Sequence, residues 1–284
     1  MTALGIDIGG SSVKLALLRG GECLSTAQGD RYRLPDRAAL ITSIRSAFAQ
    51  LAIDRIDACG LCAPGLVNPH STVVERSVNI PDLVGTSLTD LVTQAITFSG
   101  RLSIITDVHA AAHDFWIHER LSGRLLSIAL GTGVGACVLD NGVPLRISGL
   151  SSGHFGQMDV GLTDLPLPTA PDGGLGGLEG YVGLRSLESR FGTDLAAVTL
   201  TPGDPALRAL AKAIRIAHAI YRPDHIRLAG GVGLVIARSM VELDRLVREG
   251  LTSLAKSGWT LGSAADPFAA ARGAARIAAG SDDK

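Results

Sequence analysis

The strongest constraint on this chain is a pattern that occurs twice. Residues 4–18, LGIDIGGSSVKLALL, read as an apolar strand ending in Asp7, a turn through Gly9, Gly10 and Ser11, and a second apolar strand from Val13. Residues 125–145, LLSIALGTGVGACVLDNGVPL, repeat the plan, with Gly131, Thr132 and Gly133 at the turn and a strand through Val138. Each copy runs on into another turn, Gly20-Gly21 in the first and Asn141-Gly142 in the second. Asn-Gly is a strong type I′ hairpin signal. Recurrence tells more than either copy alone. It predicts an α/β chain made of two duplicated βββαβα halves, with a cleft between them and one glycine turn from each half facing it.

Glycine has no Cβ and tolerates φ > 0, so such a turn can bend sharply and present successive N–H groups. A row of amides seats an anion such as phosphate. Asp7 puts a negative charge beside that seat, which makes sense if Mg²⁺ lies between the two. The plainer alternative for the first turn is a tight hairpin with a surface aspartate.

At 284 residues the chain suits two domains of about 100–150 residues. A hydrophobic content of 46% is ample for two cores. With 26 basic and 27 acidic residues the net charge is −1, so nothing marks a nucleic-acid or membrane surface. No apolar run reaches the length of a membrane span, and no signal-like segment opens the chain. The cytoplasm is the expected compartment. Cys59 and Cys62 have C-x-x-C spacing, but they lie in apolar CGLCAPG with no second ligand pair nearby. They read as buried small hydrophobes on a strand.

Taken in order, Pro35-Asp36 starts a helix, and Ile56 to Cys62 is a buried strand closed by Ala63-Pro64-Gly65. Asn79 to Asp82 forms a polar loop before a helix from Ser87. A strand from Leu102 to Ile105 then delivers Thr106 and Asp107 to its carboxyl end, where open α/β sheets bind ligands. For Asp107 a helix-capping role and a functional role compete. His109 and His113 share a helix face without an evident third metal ligand. Residues 148–183 form a long Gly- and Pro-rich stretch carrying His154, Gln157, Asp159, Asp172 and Glu179. Asp204-Pro205 opens a helix to about Tyr221. A strand from Ile226 to Ala229 meets Gly230-Gly231, either a close approach for a flat ring or phosphate or a plain strand–helix turn. An Ala-rich last helix is expected to be capped by Asp266-Pro267 and to stop at Gly280.

Together these segments resemble the ROK family of sugar kinases and repressors, within the actin/hexokinase-like ATPase superfamily, over nearly the whole chain. LGIDIGGSSVK and ALGTGVGACVLDNG look like its two phosphate motifs, and RLAGGV like its adenosine motif. CAPGLV, NIPDL, ITDVHAAA and DPFAAARGAA are similar to its V-P-G-x-V turn, N-L-P-G-W loop, N-D-A-N-A-A-A segment and closing helix. No helix–turn–helix stands before residue 4, so the repressor branch is not expected.

The resemblance implies transfer of the ATP γ-phosphoryl group to a sugar or polyol hydroxyl. Asp107 would be the general base, and Asp7 would hold Mg²⁺ through water. Gly9, Gly10, Ser11, Gly131, Thr132 and Gly133 would hold phosphate, and Gly230 and Gly231 adenosine. Lys14 would face phosphate or stand as an exposed strand lysine. Gly65, Asn79, Thr106, His154, Gln157 and Glu179 would line the acceptor site. The implied lobes are residues 1–107, completed by the helix at about 266–280, and residues 108–265; a homodimer is expected.

The departures are informative too. Thr106 replaces the family's Asn and His154 its Glu. Gln157, Ala170, Asp172 and Gly177 stand where four zinc ligands would be, so no zinc site is expected. Rival readings are a non-catalytic sensing member of the fold and an actin-like ATPase using water as acceptor.

Overall fold

A computed structural model describes residues 1–53, 55–68, 70–147, 153–171 and 173–280. Asp172 and residues 148–152 of the long irregular stretch lie outside these. The chain divides into two compact units.

Unit 1 comprises Met1–Ile117, Arg146–Ser151 and the chain from Phe268 on. Its sheet is built from β1 (Thr2–Ile8), β2 (Val13–Arg19), β3 (Glu22–Gln28), β4 (Ala58–Cys62) and, after the two-stranded β5 (Leu66–Val67) and β6 (Val74–Arg76), β7 (Arg101–Ile105). The order is β3-β2-β1-β4-β7, antiparallel through β1 and parallel beyond it. Three helices belong to the first stretch: α1 (Arg37–Ala49), α2 (Leu88–Ala95) and α3 (Asp107–His118). Asp36 and Ser87 cap α1 and α2 through their side chains. Leu4, Ile6, Leu15, Leu40, Ile44, Leu61 and Leu88 form the centre of one core.

Unit 2 repeats this sheet. It contains β8 (Arg124–Leu130), β9 (Val134–Asp140), β10 (Val143–Pro144), α4 (Leu178–Val182), α5 (Leu184–Phe191), α6 (Pro205–Tyr221), β11 (His225–Ala229), α7 (Gly230–Ala237), α8 (Met240–Glu249) and β12 (Thr260–Ser263). The order β10-β9-β8-β11-β12 matches that of unit 1 position for position. Asn141 and Gly142 both have positive φ, as a type I′ turn requires. Asp204 caps α6, whose length is the one read from the sequence.

The last helix, α9 (Ala269–Ala278), belongs to unit 1 and lies on β1, β2 and β4 through Ala271 and Ala275. Its alanines permit close approach, and the strands meet it with glycines. An added Cβ on Gly5 would strike the Ala271 carbonyl, and one on Gly60 the Ala274 carbonyl.

Three sequence expectations need correction here. α9 begins at Ala269 with Phe268 at its cap position and no side-chain cap bond, so Asp266-Pro267 does not cap it. α3 groups with unit 1 rather than with the second lobe, because it packs on α9: Gly273 lies against the Ala110 carbonyl, and Arg272 and Arg276 grip Asp114. None of Gly9, Gly10, Gly131 and Gly133 has a positive φ.

Candidate active site

In unit 1 the site grows from strand register. Asp7 lies beside Cys62, and Cys62 beside Ile105, so three strands end together. One and two residues past Ile105 come Thr106 and Asp107. The cap question is settled by hydrogen bonds: the Thr106 hydroxyl accepts from the His109 amide at 3.4 Å, which makes Thr106 the N-cap of α3. Asp107 accepts from its neighbour Val108 through Oδ1 at 2.9 Å. Its carboxyl is pushed up to about 6, first by burial and then by the charge of Asp7, against the opposing pull of the Val108 amide and Lys14.

Asp7 is 7% exposed. Lys14, its register partner on β2, brings Nζ within 3.5 Å of Oδ2. This lysine is therefore half-buried against a carboxylate and is no freely exposed strand lysine. Cys62 is raised well above the ordinary thiol range by burial and by both aspartates, and burial pushes Cys59 up to about 12. Both are buried neutral thiols.

The first glycine turn is held from outside the hairpin. Gly9 N–H donates to the Ser12 carbonyl at 3.0 Å, and a Cβ on Gly9 would press on that oxygen and on Lys14 Nζ. Gly9 is thus glycine for want of room, not for left-handed backbone. Tyr32, just beyond β3, donates its hydroxyl to the Gly9 carbonyl at 2.7 Å, and its amide donates to Ser11. Burial and the Asp7 charge both raise its phenol. Gln28 donates to the buried Ser12 hydroxyl at 3.1 Å. The sequence reading passed over Tyr32, Gln28 and Ser12, because nothing local marks a side chain that returns to a turn 20 residues earlier.

Gly65 has φ +112°, and any Cβ there would meet the Arg76 carbonyl on β6, so packing alone demands glycine. Asn79 is half-buried beside a 3-10 turn at Pro81–Leu83.

Unit 2 assembles a second group. Gly131 N–H donates to the Gly133 carbonyl, and Leu184 N–H, opening α5, donates to the Gly131 carbonyl. Just past Gly133, the Val134 amide donates to Glu179 Oε2 at 2.9 Å. Glu179 and the glycine turn are therefore directly bonded neighbours. Gly156, also missed, fits between them, since a Cβ would lie 2.7 Å from the Val134 carbonyl and 3.1 Å from Glu179. His154 and Gln157 are exposed at either end of the adjoining 3-10 turn. Gly230 has φ +83° and abuts the Leu130 carbonyl, which starts α7 hard against the end of β8, whereas Gly231 is open.

The oxygen donors Asp7 and Asp107 suit a hard cation such as Mg²⁺. No cluster of three or more His, Cys, Asp or Glu that could hold a metal occurs among the described residues. No described helix is long and apolar enough to cross a membrane.

Two copies of one mixed sheet, each opening on a glycine-turned hairpin, make this a two-domain protein of the actin-like ATPase fold. The ROK family profile matches residues 3–281, and the chain belongs to the ROK family. It is 25% identical over 304 residues to kanosamine kinase of Amycolatopsis mediterranei, spanning 98% of this chain and 97% of that protein. A second relative, the polyphosphate glucokinase of Mycobacterium leprae, is 31% identical over 168 residues, or 55% of this chain and 47% of that one. A ROK family glucokinase from Streptomyces griseus, solved with glucose and AMPPNP, shares the fold at a TM-score of 0.77 and 20% identity, covering 99% and 100% of the two chains.

Proposed function

We propose that this protein is an ATP-dependent kinase that phosphorylates a hydroxyl of a sugar or sugar-like polyol. One observation carries the reading: Asp107, at the carboxyl end of β7, is a carboxylate pushed up to about 6 beside the buried Asp7. That is the setting of a general base poised near neutrality. The acceptor oxygen attacks the γ-phosphorus, the bond from phosphorus to the β–γ bridging oxygen breaks, and ADP leaves. Asp107 takes the acceptor's proton. Catalysis in such transfers is largely positioning and charge stabilisation. Gly9 and Gly131 close the two turns with their own amides, and the amides that follow, at Gly10–Ser11 and Thr132–Gly133, hold phosphate oxygens with the Thr132 hydroxyl, while Lys14 adds a positive charge. Gly230 and Gly231 pass adenosine. Asp7 would hold Mg²⁺, which would supply neutralisation of phosphate charge. Gly65, Asn79, Thr106, His154, Gln157 and Glu179 shape the acceptor site.

The kinases similar to this chain are named for kanosamine and for glucose, which supports a hexose or an amino hexose as acceptor. With Thr106 and His154 in place of the family's Asn and Glu, an acceptor other than unmodified glucose is the better fit. The family resemblance also supports a homodimer working in the cytoplasm, and light scattering tests the first of these. A panel of hexoses, amino sugars and polyols, assayed by ADP release, is expected to give one acceptor that turns over. Nucleotide binding without turnover on every acceptor would favour a sensing protein. Hydrolysis indifferent to acceptor would favour an ATPase.

A further inference from the structure

Between the turn at Phe155–Gln157 and α4 the chain makes a long strap with little regular structure. Its two stems are zipped together. Leu178 N–H donates to the Met158 carbonyl at 2.9 Å, Val160 N–H donates to Gly176 at 3.0 Å, and Asp159 bridges Gly177. One stem continues directly into Gln157 and the other into Glu179. Whatever holds the strap therefore fixes the spacing of those two residues.

The holding bonds come from helices. Lys212 on α6 donates Nζ to the Gly161 carbonyl at 2.8 Å. One turn earlier, Arg208 makes paired bonds of 2.7 and 2.8 Å to Asp164. The Tyr181 hydroxyl on α4 accepts from the Leu162 amide at 3.2 Å in a buried position. Val160 and Leu162 of the strap are buried in the core of unit 2, and an open hollow of about 240 Å³ lies beside Lys212, Gly161 and Leu162. Ala170 and Gly177, where the family resemblance would put metal ligands, offer no side-chain donor atom.

We propose that Lys212 and Tyr181 are positioning residues for the acceptor site, doing with hydrogen bonds to strap backbone what a metal cross-link would otherwise do. The word acceptor rests on the kinase reading; the strap's dependence on these two side chains does not. Lys212→Met removes the ammonium and keeps the stem, and Tyr181→Phe leaves the Leu162 amide without its oxygen. Each is expected to raise the acceptor KM roughly tenfold, the loss of one good hydrogen bond. Nucleotide Kd should stay within about twofold, and Lys212→Arg should restore most of the acceptor affinity. Hydrogen exchange in the same variants should speed up at Val160, Leu162 and Gly176. An unchanged acceptor KM in both variants would overturn the proposal, as would a fall in nucleotide affinity in step with it. Should the wild type phosphorylate no acceptor at all, the kinase reading fails, and exchange alone decides the strap: unaltered protection in Lys212→Met and Tyr181→Phe overturns it.

Discussion

At the scale of single residues, the base role proposed for Asp107 sets chemistry against stability. A base that accepts a proton near neutral pH needs its own pKa close to the working range, and Asp107 is raised from the ordinary 3.8 to about 6. The expected consequence for rate is an acid limb in kcat/KM near pH 6, below which activity falls about tenfold per pH unit as Asp107 is protonated. Asp107→Asn should lower kcat by about 10²–10⁴-fold and leave nucleotide affinity within a few fold. Near-normal turnover in that variant would remove Asp107 from the base role. Stability should move the other way. A folded-state pKa above the unfolded one means that the folded protein holds the proton more tightly, so stability is lost as pH rises from about 4 to about 6. Two units correspond to a cost on the order of 2–3 kcal/mol above that window. Asp107→Asn should therefore melt higher than the wild type at pH 7.5, and the gap should close towards pH 4. A thermal-shift series across that range measures it.

The sequence leaves cap and base in competition at Asp107, and at the scale of the element the capping is shared: the Thr106 hydroxyl accepts from the His109 amide and Asp107 from the Val108 amide in the first turn of α3. Other features were legible early because their signals are local. The Asn141-Gly142 turn, the Asp204 cap and the alanine stripe of α9 each announce themselves within a few residues. What stayed hidden depends on partners far along the chain. Gly5 and Gly60 look like any strand glycine until α9 arrives from more than 200 residues later and fills the space a Cβ would need. The ties of Lys212 and Tyr181 to the strap were unreadable for the same reason, as was the hold of Tyr32 on Gly9. The Asp266-Pro267 pair points to a start of α9 earlier than the Ala269 at which the helix begins. Gly60→Ala tests the packing argument: backbone faces backbone there, so neither side can rotate away. It should cost about 2–3 kcal/mol in urea unfolding. A loss below 0.5 kcal/mol would mean that α9 can lift off its strands cheaply.

For the whole molecule, the consequential fact is that unit 1 is not contiguous in sequence. Its sheet and α1–α3 come from the first 117 residues, and its covering helix comes from the other end of the chain. Unit 2 has its own core around Leu126, Ile128, Leu210, Ile214 and Leu228, drawn entirely from its own segments. The two halves share a topology but differ in how they are closed. Loss of the chain from Phe268 on would uncover the face of β1 and β4 that carries Gly5 and Gly60. It would also leave Asp114, 2% exposed, without Arg272 and Arg276, whose Nε atoms lie 2.9 and 3.1 Å from its carboxylate. Removing the partners of a buried charge is costly, about 3–5 kcal/mol, on top of the lost apolar packing. That sum approaches the whole stability of a typical domain, about 5–15 kcal/mol. A chain ending at Pro267 is therefore expected to have an unfolded unit 1 and a folded unit 2. Limited proteolysis should then digest residues 1–117 and leave the two segments of unit 2, His118–Leu145 and Ser152–Pro267, resistant. If residues 1–117 of that shortened chain stay as resistant as in the full protein, α9 is a cover that the sheet can do without.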